Sequence, residues 1–189
     1  MDGRKSYKRS AKPRVDKFMG KTIVFRRVFT YIETISKLNF ERYLIKIWRP
    51  SLVNIIPPKK SRKYLFYWLF HYLIIFKNRD YSALLIYDNE VLIGSMLIVP
   101  AHFKWPFMAK NDLQFTYVMT ARDYRGKGIG ELMLRTAIQE FKNEKRIFWY
   151  ITDTENHASL RLCSKVGFEF WSYAKRYGFM KILREVSDC

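Results

Sequence analysis

Cysteine is nearly absent from this chain. Cys163 and Cys189 are too far apart in sequence for a disulfide framework, and neither sits in a metal-ligand pattern. The expected setting is a reducing one, the cytoplasm, and no metal is expected. Acidic residues are scarce at the front. Residues 1–80 hold 20 Lys/Arg against 5 Asp/Glu, whereas residues 81–189 hold 15 against 12. A field of that sign favours anionic partners: nucleic acid, a membrane surface of anionic headgroups, or a phosphate-bearing substrate. A long apolar run is also missing. The longest, Tyr64–Phe76, is broken by His71 and would span roughly 20 Å as a helix, short of a bilayer core of about 30 Å. That argues against a single transmembrane span and favours a core helix, or one lying against a membrane. The start, Met1–Lys5, is basic with no apolar segment behind it, so no secretory signal is expected.

What is present suits one buried core. The chain has 189 residues, 49% of them hydrophobic and 17% aromatic, which places it among globular proteins. Residues 1–20, basic and broken by Pro13 and Gly20, are expected to form a poorly ordered arm, with residues 21–189 as a single domain. Lys21–Val28 reads as a first strand. Thr30–Trp48 reads as a helix from the spacing of Ile32, Ile35, Leu38, Tyr43 and Ile47, ended by Pro50. A second helix is expected over 62–77, apolar nearly all round and therefore core, so that Leu69→Asp is expected to unfold the domain. Two strands, Ala83–Tyr87 and Val91–Val99, flank a hairpin turn at Asp88-Asn89-Glu90. Leu113–Thr120 is a strand, a helix starts near Ile129, Arg146–Thr152 is a strand and Asn156–Val166 a helix stopped by Gly167. Phe168–Tyr173 and Tyr177–Leu183 close the sheet. The order β-α-α-β-β-β-α-β-α-β-β predicts an α/β fold, a mixed central sheet flanked by helices.

The chemistry is concentrated in Arg125-Gly126-Lys127-Gly128-Ile129-Gly130, between a strand and an amphipathic helix. Closely spaced glycines let the backbone turn tightly and approach a ligand. The first amides of a helix have no intrahelical partner and carry the positive end of its dipole, which suits a pyrophosphate. The dinucleotide pattern G-x-G-x-x-G fails here, because Glu131 or Met133 stands where its last glycine belongs. The P-loop fails because Gly128 follows Lys127. A second segment, Asn156 to Gly167-Phe168, begins one strand later.

Together these segments resemble the GNAT acetyltransferase superfamily. Arg125-x-x-Gly128-x-Gly130 is similar to its Arg/Gln-x-x-Gly-x-Gly/Ala loop, and Asn156 through Gly167-Phe168 to its second motif. The resemblance covers about residues 83–183 well and residues 21–80 only by element order. It implies acetyl-CoA as cosubstrate, with its pyrophosphate on Gly126, Lys127, Gly128, Ile129, Gly130 and Glu131, beside Arg125. It places the pantetheine arm and acetyl carbonyl against Val118, Met119 and Thr120, and Asn156 on the arm or the acceptor side. Asn156 is equally well read as a helix N-cap. The family often has a tyrosine as general acid where this chain has Cys163, so Cys163 and Tyr173 are the candidate catalytic residues, with Tyr177 as another tyrosine on the closing strands. The strand Leu113–Thr120 carries no carboxylate for a base and Gln114 is its most polar early position. Asp112, His102 and His157 are the remaining candidates. The function implied is N-acetyl transfer to an amine, with a small molecule or nucleotide-sugar suiting the charge. Transfer to protein or RNA, and a CoA-binding module without catalysis, stay open, as does the oligomeric state.

Overall fold

A computed structural model describes residues 22–28, 42–57, 62–143, 145–178 and 181–186. Among the described residues, eight strands form one sheet in the order β2-β3-β4-β5-β6-β1-β7-β8. The strands are β1 (Thr22–Val28), β2 (Leu44–Trp48), β3 (Ser82–Asp88), β4 (Val91–Pro100), β5 (Leu113–Thr120), β6 (Ile147–Asp153), β7 (Glu169–Tyr177) and β8 (Ile182–Glu185). Three helices accompany them: α1 (Arg62–Tyr72), α2 (Ile129–Glu140) and α3 (His157–Val166). Pairing is antiparallel everywhere except between β5 and β6. That one parallel contact needs a long crossover, and α2 supplies it.

The central strands are buried on both faces, and the alternation of their side chains divides the core in two. Leu84, Ile86, Met96 and Ile98 point to one side, where Ile129, Leu132, Met133 and Ala137 of α2 and Cys163 and Val166 of α3 cover them. Ala83, Leu85, Leu97 and Val99 point to the other, where Tyr64 of α1, Phe76 and Tyr81 close over them. A third cluster seats Val24, Trp149 and Leu183 under the loop that carries Met108. There Phe107, Trp149 and Trp171 pack with ring centroids 4.9–5.0 Å apart. The Asp88–Val91 hairpin forms as expected. Asn89 and Glu90 both have positive φ, 45° and 69°, the geometry that lets a two-residue turn follow the twist of its strands.

Two expectations need correction. Residues 44–48 form strand β2, not the end of a helix, and residues 30–41 of the expected helix, like the expected arm at 1–20, lie outside the described residues. Tyr43 and Ile47 stand four apart, which fits one face of a helix and equally every second position of a strand. Ile45 decides between them, because Tyr43, Ile45 and Ile47 all pack on the first cluster while Leu44 and Lys46 face out. The second correction concerns the aromatic helix. It ends at Tyr72 and is two-faced. Tyr64, Tyr67 and Phe70 pack inward, but Leu65, Phe66 and Leu69 are exposed by 48%, 65% and 41%.

β1 lies between β6 and β7, antiparallel to both. Val24 is fully buried there. A carboxylate at that position would be buried without a partner. Val24→Asp should therefore cost more than about 4 kcal/mol or prevent folding. Leu69→Asp should cost about 1 kcal/mol or less, because its carboxylate reaches water. Thermal melts of the two variants check this, and equal losses would contradict the exposed face of α1.

Candidate active site

The parallel register of β5 and β6 covers Leu113↔Phe148, Gln114↔Trp149 and Phe115↔Tyr150 only. Beyond Phe115 the two strands part. Tyr117 has φ of 51°, and the pairing of β5 with β4 shifts register at the same place. This is a bulge, which re-aims the strand that carries it. The last turn of β5 therefore turns one backbone edge into a cleft of about 560 Å³.

The glycine loop forms the floor of that cleft. A 3₁₀ turn, Arg122–Tyr124, leads out of β5, and Gly126 and Gly128 follow with φ of 77° and 81°. Side chains rarely adopt these angles, so the turn needs glycine at both positions. The first intrahelical bond of α2 runs from the Leu132 amide to the Gly128 carbonyl, 2.9 Å. The amides of Ile129, Gly130 and Glu131 precede it and have no carbonyl one turn back. Gly94 sets how closely this helix end approaches the sheet. A Cβ there would lie 2.8 Å from Ile129 Cγ2.

Of the residues expected to hold the cofactor, Val118, Met119 and Thr120 from β5 line the cleft, as do Arg125, Gly126, Gly128, Ile129, Gly130 and Glu131 from the loop and helix. Asn156 lines its far wall, and its Oδ1 accepts a hydrogen bond from the Ser159 amide at 3.1 Å, capping α3. Lys127 is not on the wall. Its ammonium sits 5.1 Å from the Tyr124 ring. Glu131 is buried between Arg135 Nε at 2.9 Å and Lys165 Nζ at 2.7 Å. Burial works to raise its pKa, but the hydrogen bonds from Lys165 and Arg135 prevail and hold it below the usual value. Its side chain clamps α3 to α2, while its amide belongs to the loop.

The candidate proton-transfer groups are scattered. Cys163 is fully buried in the core, and burial pushes its thiol up to about 12. Tyr173 is 6% exposed on β7 opposite Ile23 of β1. Neither lines the cleft. Tyr177 ends β7, exposed. His102 is fully buried with its ring stacked 4.0 Å from Trp105, and burial lowers its pKa to about 4. Asp112 and the buried Gln114 lie at the opposite end of β5, with Asp112 roughly 25 Å from Thr120 at strand spacing. The Asp112 carboxylate accepts from Trp149 Nε1 at 2.8 Å and from the Ala109 amide at 2.9 Å. His157 is exposed at the start of α3.

Two groups at the site were not singled out in the sequence. Tyr150 lines the cleft where β5 and β6 part, with its hydroxyl 3.2 Å from Ser159 Oγ. Burial pushes its pKa up to about 12, so it stays protonated at neutral pH. The other is an anchor behind the loop. Tyr124 donates to Asp88 Oδ2 at 2.8 Å, and Arg42 grips the same carboxylate through Nε at 3.2 Å and Nη2 at 2.8 Å. No spacing pattern could have shown it, since its members stand 36 and 46 residues apart.

The hydrogen bond from Tyr124, then that from Arg42, holds the Asp88 carboxyl below its usual pKa. The folded value is thus below that of the unfolded chain, near 3.9. The stabilisation is complete above that pH and is lost as pH falls through the folded value. Asp88→Asn should lower the melting temperature by a constant amount above about pH 5, with the gap to wild type closing below about pH 4. A gap unchanged down to pH 3 in paired melts would contradict this role.

Comparison with known proteins agrees with the geometry. The acetyltransferase (GNAT) family model matches residues 42–168. A curated relative, mycothiol acetyltransferase of Corynebacterium efficiens, is 28% identical over 93 residues, 48% of this chain and 28% of the relative. The match thus spans less than a third of that protein's length. Among solved structures, a GCN5-related N-acetyltransferase from Sphaerobacter thermophilus superposes with a TM-score of 0.54 at 16% identity, covering 80% of this chain and 48% of that one. An IAA acetyltransferase from Bacillus cereus gives 0.48 at 17%, covering 71% and 83%. These likenesses concern the fold, and it is the family model, matched across both the glycine loop and the Asn156–Phe168 segment, that places this chain in the GNAT acetyltransferase family.

Proposed function

We propose that the chain is an acetyl-CoA-dependent N-acetyltransferase acting on an amine of a small, anionic acceptor such as a nucleotide-sugar. The observation that carries this reading is the left-handed turn at Gly126 and Gly128 set against the parted edge of β5. The residues present fit the cosubstrate. The amides of Ile129 to Glu131 converge at the positive end of α2 and suit a pyrophosphate. Arg125 is exposed on the cleft wall and adds charge. The open edge at Val118 to Thr120 suits an amide-bearing arm, which bonds a strand edge as another strand would.

Acetyl-CoA would supply a thioester whose carbonyl carbon accepts the amine nitrogen as the sulfur leaves. The chain then has three tasks. It holds the carbonyl oxygen against an amide of the β5 bulge, which stabilises negative charge there. It takes a proton from the amine, and it returns one to the departing sulfur. Cys163 is buried away from the cleft, and Tyr173, on β7 between β1 and β8, does not line it, so Tyr150 with Ser159 is the proton donor we favour. The charge of the front half, 20 Lys/Arg against 5 Asp/Glu, supports an anionic acceptor. The absence of a tyrosine at position 163 favours one second reading, a protein that binds CoA without transferring the acetyl group.

Gly128→Val should lower CoA affinity at least about a hundredfold in calorimetry with the fold intact, because the variant cannot keep its φ. Unchanged affinity would sink the loop assignment. Against a panel of amino-sugar nucleotides, basic peptides and RNA, wild type should acetylate the first class. Tyr150→Phe should lose roughly a hundredfold in kcat with CoA affinity retained, and Cys163→Ala should keep most activity. CoA binding with no turnover on any amine would establish the second reading instead.

A further inference from the structure

We propose that the outer face of α1, with the loop at residues 51–54, is a docking surface for an anionic lipid bilayer. Leu65, Phe66, Leu69 and Leu73 stand one helical stripe apart from the buried Tyr64 and are exposed by 41–65%. Ile74 continues the stripe, 69% exposed. It has φ of 58°, a costly angle for a β-branched residue, and the cost is not repaid by burial of its side chain. Val53, 97% exposed, joins from the side, because Trp68 Nε1 donates to the Ser51 carbonyl at 3.4 Å and ties that loop to the helix. Six large apolar side chains thus stand exposed on one helix, the residues just after it and the loop tied to it, where a soluble surface usually scatters them singly.

Charge decides the occupant. Residues 42–79 hold nine Lys/Arg and no Asp/Glu. Four of the five residues 59–63 are Lys or Arg. At the other end Arg79 Nη1 donates to the His71 carbonyl at 2.8 Å, which fixes a guanidinium beside Leu73 and Ile74. Apolar side chains flanked by cations and free of acid match the layered chemistry of a bilayer surface, acyl chains under anionic headgroups. A second copy of this chain fits less well, since two molecules of net charge +18 repel. Nucleic acid offers phosphates for the cations but nothing for the leucines and phenylalanine. The helix lies on the surface, because eleven residues span only about 16 Å and no described helix is long and apolar enough to cross. α1 covers the sheet face opposite α2 and α3, so docking leaves the glycine loop open.

The test is co-sedimentation of the full chain with phosphatidylcholine vesicles, with and without 30% phosphatidylglycerol. Wild type should pellet with the anionic vesicles only, and about fivefold less in 0.5 M than in 0.1 M NaCl. Phe66→Glu combined with Leu69→Glu should lower partitioning at least about tenfold with the melting transition preserved. Val53→Glu, at a position too exposed to unfold the chain, should lower it severalfold. The proposal is overturned if wild type stays in the supernatant, or if Val53→Glu and the double variant both pellet as wild type does. It is also overturned if the double variant converts a wild-type dimer to monomer by sedimentation equilibrium, which would make the face a contact between copies.

Discussion

The parting of β5 from β6 after Phe115 is the constraint on which the site depends. Up to that point the two strands are held together by the buried stack of Phe115 on Phe148, ring centroids 5.3 Å apart, with Phe168 edge-on to Phe115 at 6.2 Å. Beyond it, the bulge at Tyr117 turns β5 away while β4 continues to pair with it as far as Thr120. One edge of β5 is thus satisfied and the other is left without a strand partner. Backbone groups in that position need a partner from elsewhere. The helix dipole and free amides of α2 open onto the same gap because Gly94 lets Ile129 sit against β4. An extended arm at one end and a polyanion at the other are what such a gap can satisfy together.

The sheet that carries the gap is completed from both ends of the chain. The family match stops at residue 168 and starts at 42, so β1, β7 and β8 lie outside it. β1 seals the sheet by pairing with β6 on one side and β7 on the other. Its partners are more than 100 residues away in sequence, so this closure has high contact order. The third apolar cluster, Val24 with Trp149, Ala174 and Leu183, is the energetic reason for the closure. Without β1, one edge of β6 and one edge of β7 would be unpaired in the interior.

What was legible in the sequence were features that depend on neighbours along the chain. The glycines of the loop, the period of α2 and the Asp88–Val91 hairpin are local, and each appears where its pattern places it. β2 was misread because a four-residue spacing serves helix and strand alike. The outward face of α1 was hidden because composition reports how apolar a helix is and not which side meets the sheet. The Asp88–Tyr124–Arg42 anchor and the Tyr150–Ser159 contact depend on tertiary placement alone, and no single-chain pattern encodes either. Cys163 is instructive in the opposite direction. Its place in the second motif drew attention to it, but its neighbour Val166 is core and so is Cys163 itself.

Glu131 shows how the cleft keeps its sign. An acid in the first turn of α2 is favourable to the helix, yet an unpaired carboxylate beside a phosphate cradle would repel the ligand. The structure resolves the conflict with two cations. Lys165 and Arg135 neutralise Glu131 from the side facing α3, and Arg135 goes on to donate to the Lys165 carbonyl at 3.0 Å. The carboxylate is thereby used up in joining the two helices whose N-termini line the cleft. What remains presented to the cleft is the set of amides ahead of Leu132 and the exposed Arg125, both positive in effect. The same logic extends to the whole molecule. With 35 Lys/Arg against 17 Asp/Glu, two acids near the loop, Asp88 and Glu131, are each held by cations or hydroxyl donors, while Asp123, on the turn before the loop, is exposed and outside the cleft lining. The acids built into the cleft wall and its anchor therefore leave the long-range field that draws an anion in uncancelled at the cleft itself.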